Sequence, residues 1–132
     1  MATLLAHIEV KEGREAEFEA IAAELYRETH ANEPACLRYE YWRGAEPRHY
    51  YSLLCFEDFH AFLRHQVSDH HEAASPRIGD TCETVRLEWI DPIAGASALP
   101  ATEMQALPDA ADDKTRLYHE VFAAVVQEWW PR

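Results

Sequence analysis

The stretch from residue 52 to residue 71, SLLCFEDFHAFLRHQVSDHH, decides the fold of this chain of 132 residues. Its first five residues form an apolar run that is typical of a central strand, and an acidic pair, Glu57 and Asp58, ends that run. Three apolar side chains then recur at helical spacing: Phe59, Phe62 and Leu63. We therefore expect a strand that turns directly into a helix.

Histidines collect near the end of this expected helix. His65 lies in its last turn, and His70 and His71 follow a Ser68-Asp69 pair that can cap the next helical turn. An imidazole ordinarily titrates near neutral pH, so it can accept or donate a proton under working conditions. The end of the helix is therefore a candidate site.

The rest of the chain completes an α+β pattern. An amphipathic helix is expected at residues 12–32, and strands at residues 3–10, 36–43, 49–56 and 82–90. After the helix of the opening stretch, a helical turn at residues 69–75 is expected to stop at Pro76, because proline cannot donate a backbone hydrogen bond. The order predicts a ferredoxin-like βαββαβ fold, a four-stranded antiparallel sheet with helices on one face.

The first strand is apolar on both faces, so the sheet needs a cover on each side. The chain's own helices cover one face, and a second copy of the chain is the simplest cover for the other. In this strand Leu4, Ala6 and Ile8 share the apolar face through which we expect two sheets to meet in a homodimer. His7 lies on the opposite face.

The chain is expected to divide after Pro92. Residues 1–92 form the ferredoxin-like domain, and residues 93–132 form a linker rich in Ala and Pro followed by a third, C-terminal helix. Asp109 is the expected N-cap, and one apolar stripe repeats at helical spacing: Leu117, Val121, Val125 and Trp129. Such a stripe would aggregate if it were left in water, so the helix must pack on the domain or on the partner subunit.

Charge and composition exclude several classes of partner. The formal net charge of −12 repels the phosphates of a nucleic acid and an anionic membrane surface. No apolar run approaches the roughly 20 residues of a membrane span, and the N-terminus lacks a secretory pattern, so a cytoplasmic location is expected. The chain has an odd number of cysteines, namely Cys36, Cys55 and Cys82, and no C-x-x-C pair. This pattern predicts reduced thiols. A small aromatic or apolar ligand is compatible with this composition.

Several short motifs within residues 3–92 point to one family. They are KEGR at 11–14, EPACLRY at 33–39, LCFED at 54–58, AF at 61–62, His65 with SDH at 68–70, and GD at 79–80. Together they resemble the antibiotic biosynthesis monooxygenase family, which includes quinol monooxygenases. The resemblance implies a dimeric α/β barrel and an oxidoreductase that oxygenates a quinol or another aromatic hydroxyl compound without a cofactor.

The resemblance also suggests what the site must contain. In the cofactor-free enzymes of the family the deprotonated substrate passes an electron to O₂, so the protein supplies a base, hydrogen-bond donors and an apolar slot. His7 is the first candidate for the base, and His65 and His70 are the others. Four aromatic side chains are expected to line the substrate, although each could equally belong to the core: Phe56, Tyr39, Tyr51 and Trp89.

A metal centre is the first alternative to consider in a chain with eight histidines. The adjacent His70 and His71 would point to different sides of a helix, and His60 and His65 do not share one helical face. No His-x-x-x-His pair lies on a convincing helix with a carboxylate nearby. A metal site is therefore not expected.

A heme centre and a purely binding role are the remaining alternatives. Heme-degrading members of the superfamily use an Asn, a Trp and an axial His, and the matching positions here hold His7, Phe56 and Ser75. Heme degradation is therefore disfavoured, unless His70 or His71 takes over coordination. A non-catalytic dimeric module that binds a small apolar ligand stays open, because the Trp missing at Phe56 and the extra C-terminal helix favour it, whereas His7 in an apolar slot favours an enzyme.

Overall fold

An antiparallel sheet with helices on one face is the framework of the molecule. The computed structural model describes residues 1–131, and the elements found there are β1 (Ala2–Val10), α1 (Glu15–Asn32), β2 (Cys36–Arg43), β3 (His49–Phe56), α2 (Phe59–Gln66), α3 (Asp69–Thr81), β4 (Cys82–Trp89) and α4 (Asp113–Val121). The strands pair in the order β2-β3-β1-β4, and every pair is antiparallel. This is the ferredoxin-like arrangement, so the predicted α+β fold with an additional C-terminal helix is confirmed.

Residues 52–71 fold as their pattern predicts. β3 ends at Phe56, and Asp58 caps α2 by accepting a hydrogen bond of 2.7 Å from the Ala61 amide. Phe59 and Phe62 are then fully buried in the core. The strand therefore passes within three residues into the helix that carries His65 in its last turn.

The two faces of the sheet differ in their cover, and this corrects one expectation. Leu4, Ala6 and Ile8 are 0%, 3% and 5% exposed, because they pack in the core against the chain's own helices. The buried stripe of α1 is the one that the pattern predicted: Phe18, Ile21, Ala22, Leu25 and Thr29. The expectation that Leu4, Ala6 and Ile8 meet a partner subunit is therefore wrong, since their face is already filled.

The opposite surface of the sheet, here called the open face, carries Leu5, His7, Tyr51, Leu53 and Trp42 together with the charged residues Glu40, Arg86 and Glu88. The strand register places His7 beside Tyr51 on β3, and Tyr51 beside Trp42 on β2. Trp42 is 59% exposed and Tyr51 is 39% exposed. Within residues 1–131 nothing covers these two rings fully, so this face carries an aromatic surface that is accessible to another molecule.

α3 is longer than the sequence predicted. Ser68 caps it, and the helix continues through Pro76 to Thr81 instead of stopping at the proline. A proline costs one backbone hydrogen bond, but α3 packs along α1, and an ion pair of 3.0 Å joins Arg77 to Glu24. This packing outweighs the lost hydrogen bond, so Pro76 is tolerated inside the helix.

α4 forms, but its cap and its buried side differ from the prediction. Asp112, not Asp109, caps the helix by accepting a hydrogen bond of 2.8 Å from the Thr115 amide, and the helix ends at Val121. The predicted stripe stays in solvent, with these exposed fractions: Leu117 53%, Val121 60%, Val125 55% and Trp129 77%. Tyr118 and Phe122 contact the core instead, because Glu72 on α3 accepts hydrogen bonds from Tyr118 and Lys114 and turns that side of α4 inward.

The segment between β4 and α4 is tied to the domain by hydrogen bonds. The Thr102 hydroxyl donates to the Ile90 carbonyl at 2.7 Å, and the Glu103 amide donates to the Met1 carbonyl at 3.0 Å. Further along, His60 Nε2 lies 2.7 Å from the Ala106 carbonyl oxygen. In the part of the chain that the structure describes, no helix is both long enough and apolar enough to cross a membrane.

Candidate active site

A cavity of about 340 Å³ lies between the sheet and the helices. Its walls are largely apolar and include Leu4, Ile8, Phe18, Leu54, Phe62 and Phe122. Seven polar side chains also line it: Tyr39, Tyr41, Ser52, His65, Gln66, His71 and Ser75. An apolar cavity with a few convergent polar groups is the usual form of a site for a small organic molecule.

His65 is the titratable group at the centre of this cavity wall. It is fully buried, and its ring lies 4.8 Å from that of Tyr39 and 5.2 Å from that of Phe56. Its Nδ1 lies 2.8 Å from Glu33 Oε1, whereas its Nε2 has no hydrogen-bond partner among the described residues. Since an ionised carboxylate only accepts hydrogen bonds, the hydrogen of neutral His65 is on Nδ1 and its Nε2 is a free acceptor.

Glu33 holds two histidines with one oxygen atom. His70 Nε2 lies 2.6 Å from the same Oε1 that accepts from His65. Burial opposes ionisation of Glu33, but the hydrogen bonds and charges of the two histidines outweigh it and lower the pKa of the carboxyl. Glu33 is therefore an anion that fixes the orientation and the tautomer of the His65 ring.

These three side chains are also the group that could hold a metal ion, since one ligand atom from each of Glu33, His65 and His70 lies within 4.8 Å of the others. The two nitrogen–oxygen distances, 2.8 Å and 2.6 Å, are hydrogen-bond lengths. Neighbouring ligands around a tetrahedral zinc ion with bonds of about 2.0–2.1 Å would stand roughly 3.3 Å apart. The arrangement therefore corresponds to a hydrogen-bonded triad, and it would have to widen to accept a cation.

His71 is a second imidazole of the cavity wall. Its ring lies 4.8 Å from that of His65, and its Nδ1 lies 3.1 Å from the Gln66 carbonyl oxygen. Burial, together with the neighbouring His65, lowers the pKa of His71 from the ordinary 6.5 to about 4. His71 is therefore neutral near neutral pH.

Hydroxyl groups line the sheet side of the cavity. The Tyr39 and Tyr41 hydroxyl oxygens lie 3.2 Å apart in a hydrogen bond. Burial raises the pKa of Tyr41 to about 12 and that of Tyr39 well above its ordinary value, so both stay protonated. Ser52 is 2% exposed, and its Oγ forms no hydrogen bond of good geometry within residues 1–131, although the Tyr41 hydroxyl lies close enough to interact with it.

The residues predicted for the site fall into two groups. One group lies together on the helix side of the sheet: His65, His70, Tyr39 and Phe56. Trp89 shares this side, but it packs against Phe59 and Phe62 instead of lining the cavity. The structure therefore brings most of the predicted set to the end of α2.

The other group, His7 and Tyr51, lies on the open face. His7 Nε2 is 2.8 Å from Glu88 Oε2, and its ring lies 5.6 Å from that of Tyr51. His7 is 31% exposed, so it does not stand in an apolar slot of this chain. These two residues are separated from His65 by the sheet.

Three residues that matter to the cavity were not predicted as site residues: Glu33, Ser52 and Phe122. The alternation of β3 could have revealed Ser52, because a serine at that position falls on the strand's core-facing side between Tyr50 and Leu54. Glu33 has no such local signal, since its partners lie 32 and 37 residues away in the sequence.

Solved structures of similar proteins share this fold. A protein from Caulobacter crescentus that carries the family name antibiotic biosynthesis monooxygenase is 29% identical, with a TM-score of 0.66, over 70% of this chain and 89% of its own. A protein of the same family name from Bacteroides thetaiotaomicron is 20% identical, with a TM-score of 0.66, over 79% of this chain and 95% of its own. Comparison with curated proteins gave no match.

The family itself can be assigned from the sequence match. The model of the antibiotic biosynthesis monooxygenase family matches residues 1–77, which is more than half of the chain. The matched region includes Glu33, Ser52, His65 and His70 but ends before β4 and α4. The chain therefore belongs to the antibiotic biosynthesis monooxygenase family.

Proposed function

We propose that the chain is a monooxygenase that works without a cofactor and oxidises a quinol or another aromatic hydroxyl compound in the cavity between the sheet and the helices. One observation carries the proposal. His65 Nε2 is a buried acceptor without a partner in the described residues, in the wall of an apolar cavity, while Glu33 holds the other side of the ring. This is the arrangement that a general base for a phenolic hydroxyl requires.

His65 would take the proton of the substrate hydroxyl at Nε2. The resulting imidazolium is stabilised by Glu33, whose charge lies 2.8 Å from Nδ1 in a buried environment. The substrate anion then supplies the electrons for O₂: a quinol and O₂ give a hydroxyquinone and one water, so no outside reductant is needed. The proton held on His65 returns to the reduced oxygen as water forms.

Of the three histidines predicted as candidate bases, His65 fits this role best. His70 is bound through Nε2 to the same carboxylate oxygen, so it acts on His65 by orienting Glu33. His7 lies beside Glu88 on the open face and is not among the residues that line the cavity. We therefore assign the base to His65 and a positioning role to Glu33 and His70.

The open face also supports a homodimer. Its aromatic rings, Tyr51 and Trp42, are accessible, and exposed aromatic rings on a sheet face are normally covered by another element. Two copies that pack through this face would enclose His7 and Tyr51 in the interface. A stable interface of this kind buries about 1,200–2,000 Å² or more of total surface.

Oxygen consumption tests the function. The chain, treated with a chelator, is mixed with a panel of quinols while O₂ is followed with an electrode, and ¹⁸O₂ labelling identifies the product by mass spectrometry. We expect one labelled oxygen in the product, and a loss of roughly 10²–10⁴-fold for His65→Gln. His7→Gln is the matched control and keeps the parent rate.

The same experiment separates the enzyme from a binding module. Equal rates with and without protein, combined with saturable binding of the same quinols, would favour the non-catalytic module. Equal rates for His65→Gln and the parent chain would remove His65 from the mechanism.

A further inference from the structure

Among residues 1–131, the side chains of Glu33, His65 and His70 converge as the ligands of a metal ion do, with one ligand atom from each within 4.8 Å of the others. Carboxylate oxygen and imidazole nitrogen are usual ligands of zinc and similar transition-metal ions. Sequence spacing did not reveal this group, because Glu33 follows α1 and precedes His65 by 32 residues. The fold alone brings the three atoms together.

The shift that a metal ion requires of these atoms is small. Glu33 Oε1 lies 2.8 Å from His65 Nδ1 and 2.6 Å from His70 Nε2. Around a tetrahedral zinc ion with bonds of about 2.0–2.1 Å, neighbouring ligand atoms stand roughly 3.3 Å apart. The carboxylate oxygen therefore has to withdraw by about 0.5 Å from one histidine and by about 0.7 Å from the other. Torsional adjustment of a glutamate side chain can supply such a shift.

The group stands between two separate hollows of the molecule. His65 lines the cavity between the sheet and the helices, whereas Glu33 and His70 line a surface cleft of about 600 Å³. Besides the histidine, the ionisable side chains of this cleft are three acids and one base: Glu28, Glu33, Asp69 and Arg64. A cation can therefore enter from the cleft, where negative charge prevails, without passing through the cavity.

Hydroxyl oxygens complete the surroundings of the group. Ser68 Oγ lies 3.2 Å and Thr29 Oγ1 lies 3.4 Å from His70 Nε2. Together with Glu33 Oε1, three oxygen atoms thus surround this nitrogen, and a single ring hydrogen serves only one of them well. The Ser68 hydroxyl donates to the His65 carbonyl, so its lone pairs are left to accept a hydrogen bond from a metal-bound water, the fourth ligand.

A metal ion at this place would change which nitrogen of His65 carries the hydrogen. In the neutral ring of the metal-free chain that hydrogen is on Nδ1, where Glu33 accepts it, and Nε2 is an acceptor without a partner within residues 1–131. A metal bound at Nδ1 takes the place of the hydrogen, which moves to Nε2, so the ring gains and loses no proton overall. Nε2 then donates a hydrogen and can no longer accept one.

We propose that Glu33, His65 and His70 form a regulatory site for a transition-metal ion such as Zn²⁺, which enters from the surface cleft and converts His65 Nε2 from a proton acceptor into a donor. The ion therefore inhibits the oxidation instead of serving it. The inhibition rests on the proposed function. The metal site and the change of tautomer do not, because they need only the three ligands and the imidazole ring.

Binding of Zn²⁺ to the chelator-treated full chain tests the site. We expect calorimetry to show one tight site, which Mg²⁺ does not occupy because it prefers an octahedron of oxygen ligands. Glu33→Gln and His70→Gln should each weaken the binding by roughly 100-fold, since even the loss of a residue that supports a ligand costs about 10–100-fold. Zn²⁺ should also raise the thermal midpoint of the parent chain more than that of either variant.

His7→Gln is the matched control for these variants. It removes a histidine that stands 2.8 Å from a carboxylate oxygen of Glu88 but has no second imidazole bonded to that oxygen. The affinity of this variant for Zn²⁺ should equal that of the parent chain. Equal affinities of the parent chain, Glu33→Gln and His70→Gln, or no tight binding at all, would overturn the metal site.

Nuclear magnetic resonance of the chain with ¹⁵N-labelled histidine measures the change of tautomer. The nitrogen shifts distinguish a ring nitrogen that carries a hydrogen from one that does not, and His65→Gln identifies the signals of His65. We expect the hydrogen on Nδ1 before and on Nε2 after addition of Zn²⁺. With a reactive quinol, Zn²⁺ should lower kcat and leave KM nearly unchanged, because the ion lies on the cleft side of the ring and not in the cavity.

The outcomes separate the metal site from the proposed function. Tight binding that leaves the hydrogen of His65 on Nδ1 would overturn the change of tautomer. Binding that moves the hydrogen to Nε2 would uphold the site and the change of tautomer, even if no quinol were oxidised. Oxidation at the full rate with Zn²⁺ bound would overturn the inhibition.

Discussion

Two histidine–carboxylate pairs on either side of the sheet have the same nitrogen–oxygen distance and opposite surroundings. His65 and Glu33 are 2.8 Å apart, with side chains 0% and 15% exposed, whereas His7 and Glu88 are 2.8 Å apart, with side chains 31% and 47% exposed. Charges interact more strongly in a buried, weakly polarisable environment than in water. The comparison teaches that burial, not the distance between the two groups, distinguishes a pair that can control a base from a pair at the surface.

The largest expected difference is in the rate of oxygen consumption when either of the two carboxylates, Glu33 or Glu88, is replaced. Glu33→Gln removes the charge that stabilises a protonated His65, so oxygen consumption should fall by roughly 10²–10³-fold, the usual effect of losing one oriented electrostatic partner. Glu88→Gln should leave the rate and the free energy of unfolding nearly unchanged, because its pair is open to solvent. Steady-state kinetics at several pH values would measure both. Equal losses in the two variants would show that burial does not separate the pairs.

A charge on the open face should disrupt the dimer. Leu53→Glu places a carboxylate between Leu5 and Glu40 on the open face of an acidic chain, and two copies would bring like charges together at a cost of several kcal/mol. Light scattering at micromolar concentration should then give the mass of a monomer. Leu117→Glu, at a position that is 53% exposed on α4, is the control and should remain dimeric. A parent chain that is already monomeric would refute the proposed dimer.

Lowering the pH should reduce the free energy of unfolding, because His71 becomes protonated when the chain unfolds. Its pKa is lowered from 6.5 to about 4 in the folded chain, so the unfolded chain binds more protons between these values. Stability is therefore complete above pH 6.5 and is lost as the pH falls towards 4. The expected loss is about 1 kcal/mol by pH 5.5 and at most about 3 kcal/mol by pH 4.

Urea unfolding at a series of pH values measures this effect. The groups that act on His71 are His65, Glu72, Glu33 and the Gln66 carbonyl. His71→Gln removes the titration, so its stability should change less between pH 7.5 and 5.5 than that of the parent chain. An equal change of the free energy of unfolding with pH in both proteins would assign the pH dependence to other groups.

The smallest expected effect is a difference in the free energy of unfolding between substitutions on the two sides of α4. Phe122 contacts the core and the ring of Phe62, so Phe122→Ala should lower the free energy of unfolding by about 2 kcal/mol, less than the loss for a fully buried phenylalanine. Leu117→Ala, on the exposed side, should stay within about 0.5 kcal/mol. Chemical denaturation would compare the two. A larger loss for Leu117→Ala would mean that the predicted stripe is buried in solution, for example on a partner subunit.

The helices and strands of the domain follow from local patterns, and so they could be predicted. The α1 stripe and the Asp58 cap depend on residues a few positions apart, which the sequence displays directly. Pro76 misled the prediction because contacts between α3 and α1 override a local preference. The buried side of α4 was wrong for a similar reason, since a glutamate on another helix, Glu72, decides which side turns inward.

The site, too, could be predicted only where the signal lies in nearby residues. His65 and His70 were recognisable, because imidazoles near a helix end are unusual in themselves. Their common partner Glu33 lies on a distant part of the chain, and only the packed structure brings the three together. His7 looked equally suitable in the sequence, because strand alternation tells which residues share a face but not which face the helices will cover.

Phe122 has two roles, since it holds the end of α4 against the core and forms part of the cavity wall. A ligand that reaches this part of the wall therefore touches the same ring that holds the end of α4 in place. By thermodynamic linkage, a ligand that fits against Phe122 must also stabilise the docked tail, and a detached tail must bind that ligand less tightly. Cleavage by a protease after α4 should accordingly slow when the cavity is filled, so that the C-terminal segment reports occupancy of a cavity whose wall it helps to form.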